Sequence, residues 1–258
     1  MVASSPRTII SKDQFEQYAA AWLGLVSQPD AAKLAQAFVG EYVPRLPYVS
    51  FPLASIIGLL SAVGVHQIKA RFIVVPGKTT GDPRFSLVLF ACNAKGDRLT
   101  AYYLAQQPRT AYAASARPVR PAMVALADEQ VPQGLANIWL DNWNNKKLVI
   151  APGLFGQVAG PLQGYNFGVN EFLTPLYKLQ PFKNPDRGTK DKTTSKGEEE
   201  IRLYFGLHEF FGPDSDGTAL TQTFGLVVRS SRAKSAGGEV EEVEEGSFDM
   251  AVPSPPGP

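Results

Sequence analysis

Residues 67–75 read QIKARFIVV and residues 85–92 read FSLVLFAC, and these two apolar runs decide the fold. Both runs are rich in β-branched and aromatic side chains, and Pro76-Gly77 after the first run is a turn signal. The two runs therefore predict an antiparallel hairpin. Residues 99–105 predict a third strand beside it.

Helical periodicity precedes the hairpin. Apolar side chains recur at three- and four-residue steps over residues 13–26, which predicts a helix with one apolar stripe. Ser11 and Gln14 have the spacing of a capping box at its start. A second helix is predicted over 31–39 and an apolar helix over 52–62.

The uncharged stretch 46–65 approaches the length of a membrane span. Pro47 and Pro52 break it, so the helical part has the length of a buried core helix. Residues 1–13 lack the apolar run of a secretory signal, and Cys92 is the single cysteine, which is typical of a reducing compartment. The sequence predicts a cytoplasmic protein with no membrane partner.

The order of predicted elements repeats in the second part of the chain, where 135–145 predicts another tryptophan-bearing helix. The matched residues are Tyr18 and Trp22 with Trp139 and Trp143; Phe51, Leu53, Ile56, Ile57 and Leu60 with Phe167, Val169, Phe172, Leu173 and Leu176; 68–72 with 201–205; and 87–89 with 226–228. The sequence therefore predicts an α+β fold of two related halves, each with helices packed on a small antiparallel sheet.

Changes in amino-acid composition predict where the two halves, the linker and the tail begin and end. The first half spans 1–107, and a linker with three prolines spans 108–127. The second half spans 128–234 and carries a polar, lysine-rich insertion at 178–197. Residues 235–258, acidic and then proline-rich, are predicted to form a flexible tail or an extended arm.

A helix, the strand 201–207 reading IRLYFGL, the closing Phe248-Asp249 and the proline-rich end form a pattern in the second half. This pattern resembles an uncharacterised family of bacterial hypothetical proteins. The resemblance implies no activity. Proteins of that family often end in a Cys-and-Pro motif, whereas Ser254 and Gly257 stand among the prolines here, so a metal role of such a motif is lost.

Charge argues against nucleic acid as a partner. Basic and acidic residues number 25 and 24, a net charge of +1, whereas nucleic-acid binders usually carry a clear positive excess. The basic loop within the insertion has no interleaved aromatic residues for base stacking, and Asp186 and Asp191 dilute its charge.

The residue types that carry chemistry are sparse. Cys92, His66 and His208 are the whole stock of cysteine and histidine, too few for a structural zinc site. The glycines of 153–164 lack the lysine of a phosphate-binding loop, and 214–217 resembles the start of a calcium loop without its later ligands. The sequence predicts no catalytic residue, no cofactor and no metal.

These observations favour a non-enzymatic interaction protein, or a structural protein that assembles with itself. The alternatives are a small-ligand or peptide binder with a cleft between the halves, lined by tyrosines, and, more remotely, an acid–base enzyme without a recognisable motif. The candidate partner contacts are Leu154, Phe155, Val158, Phe248, Pro253 and Pro255.

Overall fold

The structure of the chain, a computed structural model, describes residues 8–41, 43–77, 82–108, 131–145, 147–157, 160–179, 199–211, 220–236, 239–248 and 252–253. Helices and strands alternate irregularly along these residues. The helices are α1 (Lys12–Val26), α2 (Ala31–Ala37), α3 (Leu53–Leu60), α4 (Gln133–Asn144) and α5 (Asn170–Leu179), with a 3-10 helix at Pro152–Phe155.

The strands form two larger antiparallel sheets and one small one. They are β1 (Ile9–Ile10), β2 (Tyr48–Pro52), β3 (Gln67–Pro76), β4 (Pro83–Cys92), β5 (Tyr102–Leu104), β6 (Gly156–Gln157), β7 (Gly160–Pro161), β8 (Gly164–Gly168), β9 (Glu199–Phe211), β10 (Leu220–Ala236), β11 (Glu239–Phe248) and β12 (Val252–Pro253). The strand orders are β1-β5-β4-β3-β8-β12, β11-β10-β9-β2 and β6-β7. The predicted α+β class is confirmed.

Helix α1 begins at the predicted capping box. The Ser11 hydroxyl oxygen accepts a hydrogen bond from the Gln14 amide at 3.2 Å, and the Gln14 side-chain oxygen accepts one from the Ser11 amide at 3.0 Å. These bonds satisfy N–H groups that have no partner within the helix. The helix predicted over 13–26 is therefore confirmed, with one more residue at its start.

The predicted hairpin is formed by β3 and β4, which pair from Gln67 opposite Cys92 to Pro76 opposite Pro83. Strand β5 pairs with β4, so the third predicted strand is also confirmed, although it is shorter than expected. The sequence pattern identified these strands because each alternates or runs apolar over its own length.

Two short strands were missed, and each crosses to the sheet of the other part of the chain. Strand β2 lies just before the predicted helix 52–62, where no strand was predicted, and pairs with β9, with Phe51 opposite Ile201. Strand β8, which begins at the end of the glycine-rich stretch 153–164 and was not predicted as a strand, pairs with β3, with Phe167 opposite Ile68. The expectation of one separate small sheet per half is therefore wrong, because each larger sheet takes strands from both parts.

The main core lies between the two larger sheets and is built from aromatic rings. Trp22 lies 5.1 Å, centroid to centroid, from Phe155, and Trp143 lies 5.1 Å from Phe38. Each indole N–H donates to a backbone carbonyl, that of Trp22 to Leu162 at 2.9 Å and that of Trp143 to Leu46 at 3.0 Å. The fully buried large side chains are Trp22, Trp143, Phe38, Phe51, Phe72, Phe85, Phe155, Phe167, Phe172, Phe205 and Phe224.

The polar tail contains regular structure. Strand β11 pairs with β10 from Ala236 opposite Glu239 onward, and β12 pairs with β8. We expected a flexible tail or an extended arm from residue 235, and both strands lie within that segment. The predicted linker after residue 108, the insertion after residue 179 and the turn at 214–217 lie outside the described residues.

The helix predicted in the uncharged stretch is α3, which is 8 residues long. Among the residues that the structure describes, no helix is both long and apolar enough to cross a membrane.

Candidate functional site

The free edge of the four-stranded sheet is the candidate site. Strand β11 is 10 residues long and pairs with the 17-residue β10 on one side. Within the described residues, no strand pairs with its other side. An edge strand presents a row of backbone N–H and C=O groups that can pair with another extended chain.

Strand β11 is strongly acidic. Its sequence, EVEEVEEGSF, has five glutamates and no basic residue. Glutamate is unfavourable in strands, which explains why the sequence did not predict one here. Its apolar residues Val240, Val243 and Phe248 are three and five residues apart, which is not the two-residue period of a half-buried strand, so the pattern carried no strand signal.

Two arginines on the neighbouring strands lie beneath α4. Arg202 and Arg229 face each other across β9 and β10, and both residues are buried. The Arg202 Nε bonds to Glu200 Oε1 at 2.7 Å, and Arg229 Nη2 donates to Asn137 Oδ1 at 3.0 Å. Because its partner Asn137 lies in α4, we assign Arg229 to holding α4 on the sheet, whereas Arg202 bonds within β9.

The two arginines also pack on tyrosine rings. The Arg202 guanidinium lies 4.6 Å from the Tyr48 ring centroid, and that of Arg229 lies 5.3 Å from the Tyr204 ring centroid. Such cation–π contacts stabilise a guanidinium that has left water.

His208, farther along β9, stacks on Trp139 of α4 with a centroid distance of 3.9 Å. Burial lowers the pKa of His208 from 6.5 to about 4, so its ring is neutral at pH 7. His66 precedes β3 in the six-stranded sheet and donates its backbone N–H to the Cys92 carbonyl. His208 therefore lies in the four-stranded sheet, and His66 lies beside the six-stranded sheet.

The candidate partner contacts of the glycine-rich loop are part of the core. Phe155 is fully buried and Leu154 is 9% exposed, so neither side chain is available to a partner, and these two assignments are corrected. Phe248 lies in β11, and Pro253 lies in β12 opposite Tyr165. Val158 and Pro255 lie outside the described residues.

The tyrosines expected to line a cleft are divided among separate clusters. Tyr103 and Tyr165 belong to the main core, Tyr102 packs with Ile10 and Phe90, and Tyr204 packs beneath α4. The structure does not bring them to one surface.

Metal and nucleophile chemistry finds little support in the described part of the chain. It contains no cluster of three or more histidine, cysteine, aspartate or glutamate residues arranged to hold a metal ion. The Cys92 side chain is fully buried, and burial raises the pKa of its thiol. A buried neutral thiol is a poor nucleophile.

Comparisons of this sequence and structure with protein-family models, with curated proteins and with solved structures find no significant match. The case for any function therefore depends on the contacts, charges and burial of the residues described above.

Proposed function

We propose that this chain is a non-enzymatic interaction protein that binds an extended segment of a partner protein along the free edge of β11. The observation that carries this proposal is an edge of 10 residues with one strand neighbour in the described residues. Adding a strand to such an edge supplies main-chain hydrogen bonds for affinity, while alternate side chains supply specificity.

The charge of β11 indicates the chemistry of the partner. Five glutamates within one strand favour a segment that carries lysine or arginine at alternate positions. Opposite charges on neighbouring strands contribute roughly 0.2–1 kcal/mol per pair, and like charges oppose pairing.

The same charge weighs against self-assembly through this edge. A second copy of β11 would bring glutamates beside glutamates, and the strand has no basic residue to offset them. Of the two forms of the hypothesis, a different partner protein is therefore favoured over self-assembly.

The packing between the two parts of the chain favours an interaction protein over a ligand cleft. The region where a cleft was expected is filled by Trp22, Trp143 and the phenylalanines around them, at ring distances near 5 Å. The single buried Cys92 fits a reducing compartment, and we propose a cytoplasmic location.

We also propose that residues 1–107 and 128–234 arose by duplication. Matched residues make matched contacts: the amide of Phe72 donates to the Gln163 carbonyl at 2.9 Å, and that of Phe205 donates to the Pro47 carbonyl at 2.9 Å. The indole N–H of Trp22 donates to Leu162, and that of the matched Trp143 donates to Leu46. Likewise Phe51 of β2 pairs with Ile201, and the matched Phe167 of β8 pairs with Ile68. Unrelated segments have no reason to share this set of contacts.

The interaction proposal is tested with a fluorescent peptide that alternates lysine and valine and matches β11 in length. Anisotropy should show saturable binding to the full chain that weakens with salt. The double variant Glu242→Lys, Glu244→Lys should bind at least about tenfold more weakly, since two attractive pairs become repulsive. The matched control is Asp13→Lys, Glu16→Lys on the exposed face of α1, which changes the net charge equally.

A second peptide separates strand addition from simple charge attraction. It keeps the lysines and replaces the valines by proline, which has no N–H to donate. Strand addition predicts that this peptide does not bind. Equal binding of both peptides would refute the edge as the site, and a native mass well above 27.9 kDa that returns to the monomer value without 239–248 would favour self-assembly instead.

A further inference from the structure

The outer face of the six-stranded sheet carries a second charged cluster, far from β11 in the strand order. Lys69 and Arg71 alternate along β3 and therefore lie on the same face. Lys69 stands opposite Asn166 of β8, and Arg71 stands opposite Gly164. Gly164 itself is buried against the backbone of Ala70 and Arg71, whereas the Lys69, Arg71 and Asn166 residues are each partly exposed.

Arg71 is largely buried and makes weak contacts to neutral groups. Its Nη1 donates to the Asn166 Oδ1 at 3.2 Å and to the Tyr165 carbonyl at 3.4 Å. Among the described residues, no carboxylate lies within ion-pair distance of Arg71 or Lys69. A guanidinium has five N–H donors, so Nε and Nη2 remain available.

Burial without a carboxylate partner disfavours the charged form of Arg71. Burial lowers the pKa of its guanidinium to about 10. Removing a cation from water without a compensating anion is unfavourable, and such groups concentrate at functional sites.

The surrounding charges are positive in excess. Lys69, Arg71 and Arg98 each lower the pKa of the Cys92 thiol, against the larger effect of burial, and Asp97 raises it. Arg98 is held beside the cluster by a β-bridge to Cys92, with its guanidinium 4.3 Å from the Tyr102 ring centroid. Three cations and one carboxylate therefore act on the same small region.

We propose that Lys69, Arg71 and Asn166 form a binding site for a phosphate group. The Asn166 side-chain oxygen accepts from Arg71, which turns its amide NH₂ into a further donor for the ligand. A guanidinium, an ammonium and an amide suit the several acceptor oxygens and double charge of phosphate. The phosphate belongs either to the free ion or to a phosphate monoester, which present the same oxygens.

The test titrates the full chain with inorganic phosphate and, separately, with glycerol phosphate, at constant ionic strength in a chloride buffer. Isothermal calorimetry should show one saturable site for at least one of the two ligands. Lys69→Gln should weaken binding at least about tenfold, since a charge-assisted hydrogen bond to the anion is lost. Lys69 is half-buried, so we expect Lys69→Gln to fold even where Arg71→Gln does not, and the test therefore uses Lys69→Gln.

The matched control is Lys147→Gln, which removes an exposed lysine after α4 and should leave binding unchanged. Equal affinity for the two ligands assigns the site to the phosphate ion, and tighter binding of the ester assigns it to a larger phosphorylated molecule. Absence of saturation by either ligand at about 10 mM, or equal loss of binding in both lysine variants, would overturn the proposal.

Discussion

The reciprocal tryptophan contacts lead to a quantitative prediction about stability. We consider two single variants, Trp22→Phe and Trp143→Phe. Each keeps an aromatic ring in the core and removes the indole N–H that donates to a carbonyl in the other part of the chain, at 2.9 Å for Leu162 and 3.0 Å for Leu46.

The cost of each change has two parts. A buried carbonyl left without its donor costs about 1–3 kcal/mol. The smaller ring leaves a space among the rings of Phe72, Phe85 and Phe155 for Trp22, and of Phe38, Phe205 and Phe224 for Trp143, which adds about 1–2 kcal/mol. The sum is about 3 kcal/mol, a large share of the roughly 5–15 kcal/mol that holds a typical domain folded.

The assay is urea unfolding followed by far-ultraviolet circular dichroism, because removal of a tryptophan would alter a fluorescence signal. We expect both variants to lose about 3 kcal/mol with unchanged dependence on urea, and to agree within about 1 kcal/mol. If one variant loses about 3 kcal/mol and the other almost nothing, the two contacts are not equivalent. Trp22 and Trp143 would then not occupy equivalent positions, which contradicts an origin of the two parts by duplication.

Two further predictions concern the contact between α4 and the four-stranded sheet. Gly225→Ala should destabilise the fold by about 1–3 kcal/mol, because the added Cβ would lie 2.6 Å from His208 Cδ2 and Trp139 stacks on the His208 ring. Urea unfolding measures this loss. The control is Gly134→Ala, whose added Cβ would meet no other atom within 4 Å and which should lose no stability. Because the pKa of His208 is lowered to about 4 in the folded chain, its contribution is fully present above pH 6.5 and is lost as the pH falls from 6.5 to 4, by up to about 1.4 kcal/mol per pH unit. His208→Phe should flatten the stability profile over that window, and an unchanged slope would show that the ring does not titrate as described.

The sequence predicted the elements whose signal is local. Helix α1 follows from a capping box and one apolar stripe, and β3 and β4 follow from long apolar runs. Strand β2 gave no such signal, because it is 5 residues long, ends in Pro52 and finds its partner Ile201 far along the chain. Pairing over such a distance is a tertiary choice that local propensity does not record.

The charged face of β3 was partly visible in the sequence. Lys69 and Arg71 alternate with the buried Ile68 and Ala70, which indicates that both lie on one face. The role of Asn166 was not visible, because β8 reaches β3 only through the exchange of strands. A site assembled from residues so distant in sequence is defined by topology.

The outer strands of the two larger sheets differ in length, in proline content and in what pairs with their outer sides. In the six-stranded sheet the terminal strands β1 and β12 have 2 residues each. In the four-stranded sheet the terminal strand β2 carries a proline, and its outer side is covered at Ser50, whose amide and carbonyl both bond to Gln106 at 2.9 and 2.8 Å. Short, proline-bearing and covered edges are the usual means of preventing strand addition. Strand β11 is 10 residues long, contains no proline and has one strand neighbour within the described residues, so its edge is longer than the other sheet edges and, unlike β2, carries no proline.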